Sequence, residues 1–216
     1  MPRESLENKK IRAKKIIRLL KKHYPNAKCS LNFSSVHELM VATILSAQCT
    51  DERVNKTTPA LFQKYQSIQA FADADITELA ELVYPTGFYK NKANSIKKSA
   101  QQLLELYNSE MPQELDKLVI LAGVGRKTGS VVLGAGFGLA EGIVVDTHVG
   151  RINRHFKFTS NTDAVKIEKD LVKIIPKDDW ILYSHLMIDH GRAICKARTP
   201  NCNNCFLASY CPSHQL

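Results

Sequence analysis

Leu121-Ala122-Gly123-Val124-Gly125-Arg126-Lys127-Thr128-Gly129 is the stretch from which the fold can be read. Running into it, Leu115, Leu118, Val119 and Ala122 fall at i, i+3, i+4 and i+7, the period of one buried helical face. That spacing predicts a helix ending at the glycines. Gly123 and Gly125, one residue apart, let the chain reverse where a side chain would clash, and Val131-Val132-Leu133 opens a second apolar run within a turn of helix. The pattern is helix, glycine hairpin, helix. At such a hairpin the second helix leaves its first N–H groups unpaired, with the positive end of the helix dipole behind them, which suits a phosphate. Lys127 stands in that first turn.

The 216 residues suffice for one large domain or two small ones, and 44% hydrophobic with 24% charged residues is the composition of a globular chain. Met1 to Lys22 is lysine-rich without a long apolar block, so no targeting segment is read there. Val131 to Val145 is apolar but broken by glycines and contains Glu141, which rules it out as a bilayer span. No membrane partner and a cytoplasmic, nucleoid-associated location are expected. The net charge of +9 suggests a polyanion, but residues 1–28 alone carry +8 and the rest only +1. That excess belongs to one predicted helix with an apolar stripe of Ile11, Ile16, Leu19 and Leu20, and its lysines read first as a solvated face.

Ser35-Val36-His37-Glu38 is a capping-box pattern ahead of Leu39 to Leu45, a segment apolar on most sides and therefore expected to be central. Ser46-Ala47-Gln48-Cys49-Thr50-Asp51 ends it. Asp75-Ile76-Thr77-Glu78 opens another helix that Pro85 stops. Thr86-Gly87-Phe88-Tyr89-Lys90-Asn91-Lys92 follows, an aromatic pair among lysines before the amphipathic helix of Ile96, Ala100, Leu103 and Tyr107. A loop of that composition can push a ring toward bases, although on composition alone Phe88 and Tyr89 read as core packing. Helices are also expected through Ala164, Ile167, Leu171 and Ile175, ended by Pro176, and from Trp180 to Ile188, ended near Gly191. Ile143-Val144-Val145 is the one β-branched run, so the fold class expected is all-α. The polar triplet Asp146-Thr147-His148 comes directly after it.

Cys195, Cys202, Cys205 and Cys211 are spaced C-x6-C-x2-C-x5-C, with Cys29 and Cys49 apart from them. Without a secretory signal, a metal centre is the better reading than disulfides. Zinc sites usually pair two C-x2-C knuckles, and here there is one. Four thiolates on unequal short loops suit a 4Fe-4S cluster, one cysteine per iron corner, acting as a staple for a region too small to build a core. Arg192, Lys196 and Arg198 beside it could balance its charge or contact phosphate.

The hairpin Leu121 to Thr128, the Val145-Asp146-Thr147-His148 segment, Ser46-Ala47-Gln48 and the cysteine spacing together resemble the endonuclease III family of helix-hairpin-helix DNA glycosylases and abasic-site lyases. The resemblance covers essentially the whole chain. It implies two helical domains flanking a DNA-binding cleft: a six-helix domain, residues 29–139, and a cluster domain formed by residues 1–28 plus 140–216. The partner it implies is double-stranded DNA holding damaged bases or abasic sites, bound by a monomer. By position, Lys127 matches the nucleophile and Asp146 its carboxylate partner. Gln48 matches the residue that fills the hole left by a flipped base. Phe88 takes the wedge position, where the family often has an aliphatic side chain. Gly123, Val124, Gly125 and Arg126 match the phosphate-gripping hairpin, and Asp51 a support for the pocket. Two departures stand out: Ala122 where proline is usual, and Gly129-Ser130 where Ala-Asn is common. Both are expected to loosen the hairpin.

The chemistry implied needs an amine that attacks the sugar C1′ and a later β-elimination that nicks the strand. At an ordinary pKa of ~10.4 only about one lysine in a few thousand is neutral at pH 7, so catalysis asks for roughly 3 to 5 kcal/mol against the ammonium. The helix N-terminus, Arg126 and burial are expected to supply it. Asp146 favours the ammonium, so its role is rather to accept a proton and to stabilise positive charge on the sugar. Two rival readings share some of these features. An adenine-mispair glycosylase shares the fold and cluster but lacks the lysine, and a non-catalytic iron-sulfur DNA-binding or redox-sensing protein needs neither Lys127 nor Asp146.

Overall fold

Helices begin where short polar side chains stand ready to receive the first unpaired N–H groups. Ser35 Oγ accepts from the N–H of Glu38 at 3.1 Å, and the Glu38 carboxylate reaches back to the N–H of Ser34 at 2.6 Å. Ser5, Thr50, Ser67, Asp75, Asp146 and Asp163 cap other helices in the same way, each such cap contributing about 1 kcal/mol. The computed structural model describes residues 4–214. Its helices are α1 Leu6–His23, α2 Val36–Leu45, α3 Asp51–Lys64, α4 Ile68–Asp73, α5 Ile76–Val83, α6 Tyr89–Tyr107, α7 Leu115–Leu118, α8 Arg126–Val131, α9 Thr147–His155, α10 Ala164–Leu171 and α11 Trp180–Ala193. No strand occurs among the described residues, so the all-α class read from the sequence holds. No helix among them is long and apolar enough to cross a membrane.

The chain divides into two compact units, Cys29–Glu141 and Met1–Lys28 with Gly142–Leu216. In the first, α2 is the central element, with Leu39, Met40, Val41, Ala42, Ile44 and Leu45 all buried. α4 and α5 lie along α6, which turns Ala93, Ile96, Ala100 and Leu103 inward. Pro85, lacking an N–H to continue α5, converts its end into a 3-10 turn at Tyr84–Thr86.

In the second unit the stripe of α1 is Ala13, Ile16, Ile17 and Leu20, which pack with residues of α9 and α11 such as Ile152, Tyr183 and Leu186. Ile11, expected in that stripe, is exposed, because the buried face advances by 3.6 residues per turn from Ala13. Not all of the basic face is solvated. Arg12 pairs with Glu4 at 2.6 Å and donates to the carbonyls of Tyr210 and Phe156 at 3.0 and 2.9 Å. α11 ends at Ala193, near Gly191 as expected, but the glycine itself lies inside the helix. A Cβ at residue 191 would stand 2.4 Å from His148 Nδ1, so this glycine serves close packing of α9 on α11 rather than termination. Ile143-Val144-Val145 forms no strand; the carbonyl of Val144 accepts instead from Ser184 Oγ at 2.9 Å.

Candidate functional site

The hairpin is built as the sequence suggests, from a shorter first helix than expected. α7 ends at Leu118, and Val119, placed in the buried face by periodicity, is 39% exposed. The chain turns there, and Leu121 rather than Val119 fills the core. Turn bonds Leu121 N–H to Leu118 O (3.1 Å) and Val124 N–H to Leu121 O (3.0 Å) carry the reversal. Gly123 has φ of +77°, and a Cβ on it would meet Ser95 Cβ at 2.7 Å, so both conformation and space require glycine. Val124 is buried and anchors the turn. Around Gly125, nothing lies within 4 Å of where a Cβ would stand, so packing does not require its smallness; the bare backbone leaves room for something outside the protein. Gly125 caps α8, whose helical run continues in wider π-type turns through Val132–Phe137.

Lys127 is the second residue of that run, and its side chain is exposed. The burial expected of it is therefore not found in the protein alone. Arg126 beside it is exposed as well. Gly129 is buried, and a Cβ there would meet Leu115 Cδ1 at 2.8 Å. The glycine that departs from the family pattern is thus matched to a leucine methyl occupying its space. Ala122, the other departure, uses the N–H that proline would lack: it donates to Gln102 Oε1 at 2.7 Å.

Two exposed turns in the same unit share an unusual backbone. Gln48, after the end of α2, has φ of +53°, and Phe88, at the N-terminus of α6, has φ of +49°. Left-handed conformations at residues other than glycine cost roughly 1–3 kcal/mol and gather at functional positions. Phe88 is 64% exposed, which overturns the composition-based reading of this ring as core; Tyr89 packs against the core and leans on Tyr84, ring centroids 4.8 Å apart. Asp51 is the first residue of α3.

Asp146, in the other unit, caps α9 with Oδ1, which accepts from the N–H of Val149 at 2.8 Å. One carboxylate oxygen is thereby oriented by backbone. His148, two residues on, has its pKa lowered by burial, with Asp146 opposing and Arg151 and Arg192 reinforcing the fall.

Cys195, Cys202, Cys205 and Cys211 line one cavity of about 130 Å³, backed by Ile152, Phe156 and Ile194. Among the described residues no three His, Cys, Asp or Glu side chains are grouped to hold a single metal ion. The donor set fits a polynuclear iron-sulfur group, one sulfur to each corner. Burial raises the Cys195 thiol to about 11 and raises that of Cys205 too, so these sulfurs become thiolates readily only when a cationic centre replaces the proton. The segment contributes little core of its own: two 3-10 turns, Leu207 buried, and Phe206 stacked on His23 at 3.7 Å. Arg192, Lys196 and Arg198 are exposed.

Sequence reasoning missed the residues that brace these parts. Arg151 donates to the carbonyl of Cys195 at 2.8 Å, and His190 Nε2 lies 3.8 Å from Cys205 Sγ. Lys92, read as part of a basic loop, is buried; its signal was its register with Ile96, Ala100 and Leu103 on one helical face.

A helix-hairpin-helix carrying a lysine, with a four-cysteine iron-sulfur module, defines a class: base excision DNA repair proteins. Residues 41–177 match the model of the HhH-GPD superfamily base excision DNA repair protein, and residues 195–211 that of the iron-sulfur binding domain of endonuclease III. The chain is 50% identical over 210 residues to endonuclease III of Synechocystis sp., covering 97% of this chain and 96% of that protein. Its fold matches the structure of a non-covalent endonuclease III-DNA complex with a TM-score of 0.89 at 39% identity, over 95% of this chain and 96% of that one. A trapped endonuclease III-DNA covalent intermediate gives the same TM-score and identity, over 95% and 97%. The chain belongs to the endonuclease III family, whose members are DNA glycosylases with abasic-site lyase activity, and its cofactor is a 4Fe-4S cluster.

Proposed function

We propose that the chain excises damaged bases, oxidised pyrimidines above all, from double-stranded DNA and nicks the abasic strand, with Lys127 as nucleophile and Asp146 as its carboxylate. The observation that carries this reading is Lys127 itself, exposed in the first turn of a helical run that opens directly from the Gly123-Val124-Gly125 hairpin. With the hairpin N–H groups and Arg126 on a phosphate, the strand's register is fixed and the lysine is offered to one nucleotide.

Neutral Lys127 Nζ attacks C1′ of the flipped nucleotide as the C1′–N bond breaks, and the base leaves with the bond's electron pair and then takes up a proton. Positive charge on the sugar is met by Asp146, which accepts a proton from the attacking amine. The nitrogen lone pair then expels O4′, which takes up a proton as the sugar ring opens, and the iminium so formed at C1′ makes the C2′ proton acidic; removal of that proton expels the 3′ phosphate, and water then releases Lys127. DNA covering the exposed lysine would supply the desolvation missing from the protein alone. Gln48 fills the vacated position in the duplex, Phe88 wedges the opposite side, and Asp51 supports the pocket. The ligands are Cys195, Cys202, Cys205 and Cys211, and the cluster they hold cross-links a segment short of core. The protein acts as a monomer associated with the nucleoid.

Borohydride should trap a covalent complex with abasic-site duplex, and Lys127→Ala should abolish it. Trapping that persists in the variant sinks the assignment of the nucleophile. A wild-type protein that binds DNA but never nicks it would favour the non-catalytic alternative.

A further inference from the structure

Lys92 sits on the apolar face of α6, one turn before Ile96, and is only 5% exposed. Its ammonium donates to two backbone carbonyls, Leu45 O and Thr86 O, each at 2.8 Å. Leu45 is the last residue of α2, so its carbonyl is among those that no intrahelical N–H reaches. Gln48 follows three residues later. Thr86 ends the 3-10 turn, its own hydroxyl donating to Val83 O at 2.8 Å, and Phe88 follows two residues later. The backbone N–H of Lys92 donates in addition to Phe88 O at 3.1 Å.

One side chain on α6 therefore ties the end of α2, three residues before Gln48, to the end of the 3-10 turn, two residues before Phe88. Burying an ammonium against neutral carbonyls is costly, because water solvates it better and four methylenes lose their freedom. A methionine would fill the same stripe without that cost. Burial accordingly lowers the Lys92 pKa, with Cys49 nearby opposing the fall. Gln48 and Phe88 hold left-handed backbones, which persist only where the surroundings over-determine them. Two strained turns joined by a shared, charged cross-tie form a device for keeping a fixed separation.

We propose that Lys92 is a positioning residue that locks the Gln48 turn to the Phe88 turn, so that both side chains enter a duplex in register around one extruded nucleotide. The inference rests on the reading that Gln48 and Phe88 penetrate DNA. Lys92 touches no substrate; it acts through those two residues. It sets the discrimination between a duplex with a missing or flipped base and an intact one, and leaves the phosphate grip of the hairpin alone.

The test uses the holoprotein and a duplex with 2-aminopurine opposite a tetrahydrofuran abasic analogue, whose fluorescence reports unstacking of the opposite base. Lys92→Met should bind intact duplex within about twofold of wild type yet lose roughly tenfold in affinity for the abasic analogue, with little fluorescence rise. Single-turnover base excision should fall by about 10- to 100-fold. Lys92→Arg should restore most of both. The double variant Gln48→Ala, Phe88→Ala should show the same loss, and adding Lys92→Met to it should change affinity by less than about twofold. If the double variant loses discrimination while Lys92→Met keeps it, the cross-tie is wrong and the penetration reading survives. If the double variant keeps discrimination, the penetration reading itself falls and this inference with it. Full additivity of Lys92→Met, or failure of both Lys92→Met and Lys92→Gln to fold, would assign Lys92 to stability and overturn the proposal.

Discussion

The backbone N–H of Ala122 donates to Oε1 of Gln102 at 2.7 Å, and the same amide side chain returns Nε2 to the carbonyl of Ile120 at 3.3 Å. Both ends of one glutamine on α6 thus hold the entry to the glycine hairpin. Where the family pattern has proline, backbone stiffness comes from the ring; here it comes from a clamp twenty residues away in sequence. The loosening expected from Ala122 is offset by a contact that only an N–H permits.

Gln102→Ala should therefore cost about 1 kcal/mol of stability, and hydrogen exchange at residues 121–125 should accelerate while exchange in the core of α2 stays unchanged. Ala122→Pro should cost similarly in the wild type, by leaving Oε1 without its donor, and should be better tolerated in the Gln102→Ala background. Simple additivity of the two would count against the clamp.

Asp146 caps α9, and the catalytic role proposed for it can be separated from that cap by substitution. Asparagine caps helices about as well as aspartate, whereas alanine forfeits about 1 kcal/mol. Asp146→Asn should keep the melting temperature near that of wild type and still lose base excision by 10²-fold or more, the order expected for a proton-handling group. Asp146→Ala should lose both. Full activity in Asp146→Asn would reduce the residue to a cap.

Much of this was legible in the sequence because local chemistry dictated it. Ser35 and Asp75 announced their helices through capping, Pro85 its stop, and α2 its central position through a run apolar on nearly every side. The glycine hairpin was legible because Gly123 needs a positive φ and a neighbour, Ser95, allows no Cβ. What escaped depends on partners distant in sequence. Val119 looked buried by period, but it is the C-cap of a helix of little more than one turn, and the chain turns just after it. Gly191 looked like a terminator, but its glycine is owed to His148. Phe88 reads as core by composition, and a left-handed turn throws it outward. The register of Lys92 with Ile96, Ala100 and Leu103 signals its burial, but the carbonyls it binds, like the partners of Gln102, are brought near only by tertiary packing, which no spacing rule encodes.

His37 gives a pH-dependent prediction. It is buried on α2 against Phe71, ring centroids 5.2 Å apart, with Nε2 lacking a partner, and burial lowers its pKa to about 4. The unfolded chain, near 6.5, binds the proton more readily, so the contribution of neutral His37 is fully present above pH 6.5 and is lost as pH falls toward 4. The loss should approach 3 kcal/mol, roughly. Denaturant melts across that window should show His37→Phe with a flatter acid limb than wild type. Parallel curves would mean that His37 stays unprotonated in both states or is charged in both.

The cysteine module has little besides its cluster to secure it. Leu207 is the single fully buried apolar side chain between Cys195 and Cys211, and the intervening turns are short 3-10 segments. Such a segment cannot offset its chain entropy by burial alone, so the cluster should be what orders it. The purified protein should be yellow-brown, and stripping the iron should loosen the backbone so that trypsin cuts after the already exposed Lys196 and Arg198 before any site in Cys29–Glu141. Cys205→Ala should reproduce that pattern. A colourless zinc-loaded protein resisting trypsin equally well would refute the iron-sulfur assignment to these four sulfurs. A stripped protein that stays intact would instead mean that Leu207 and the Phe206–His23 stack suffice to hold the segment.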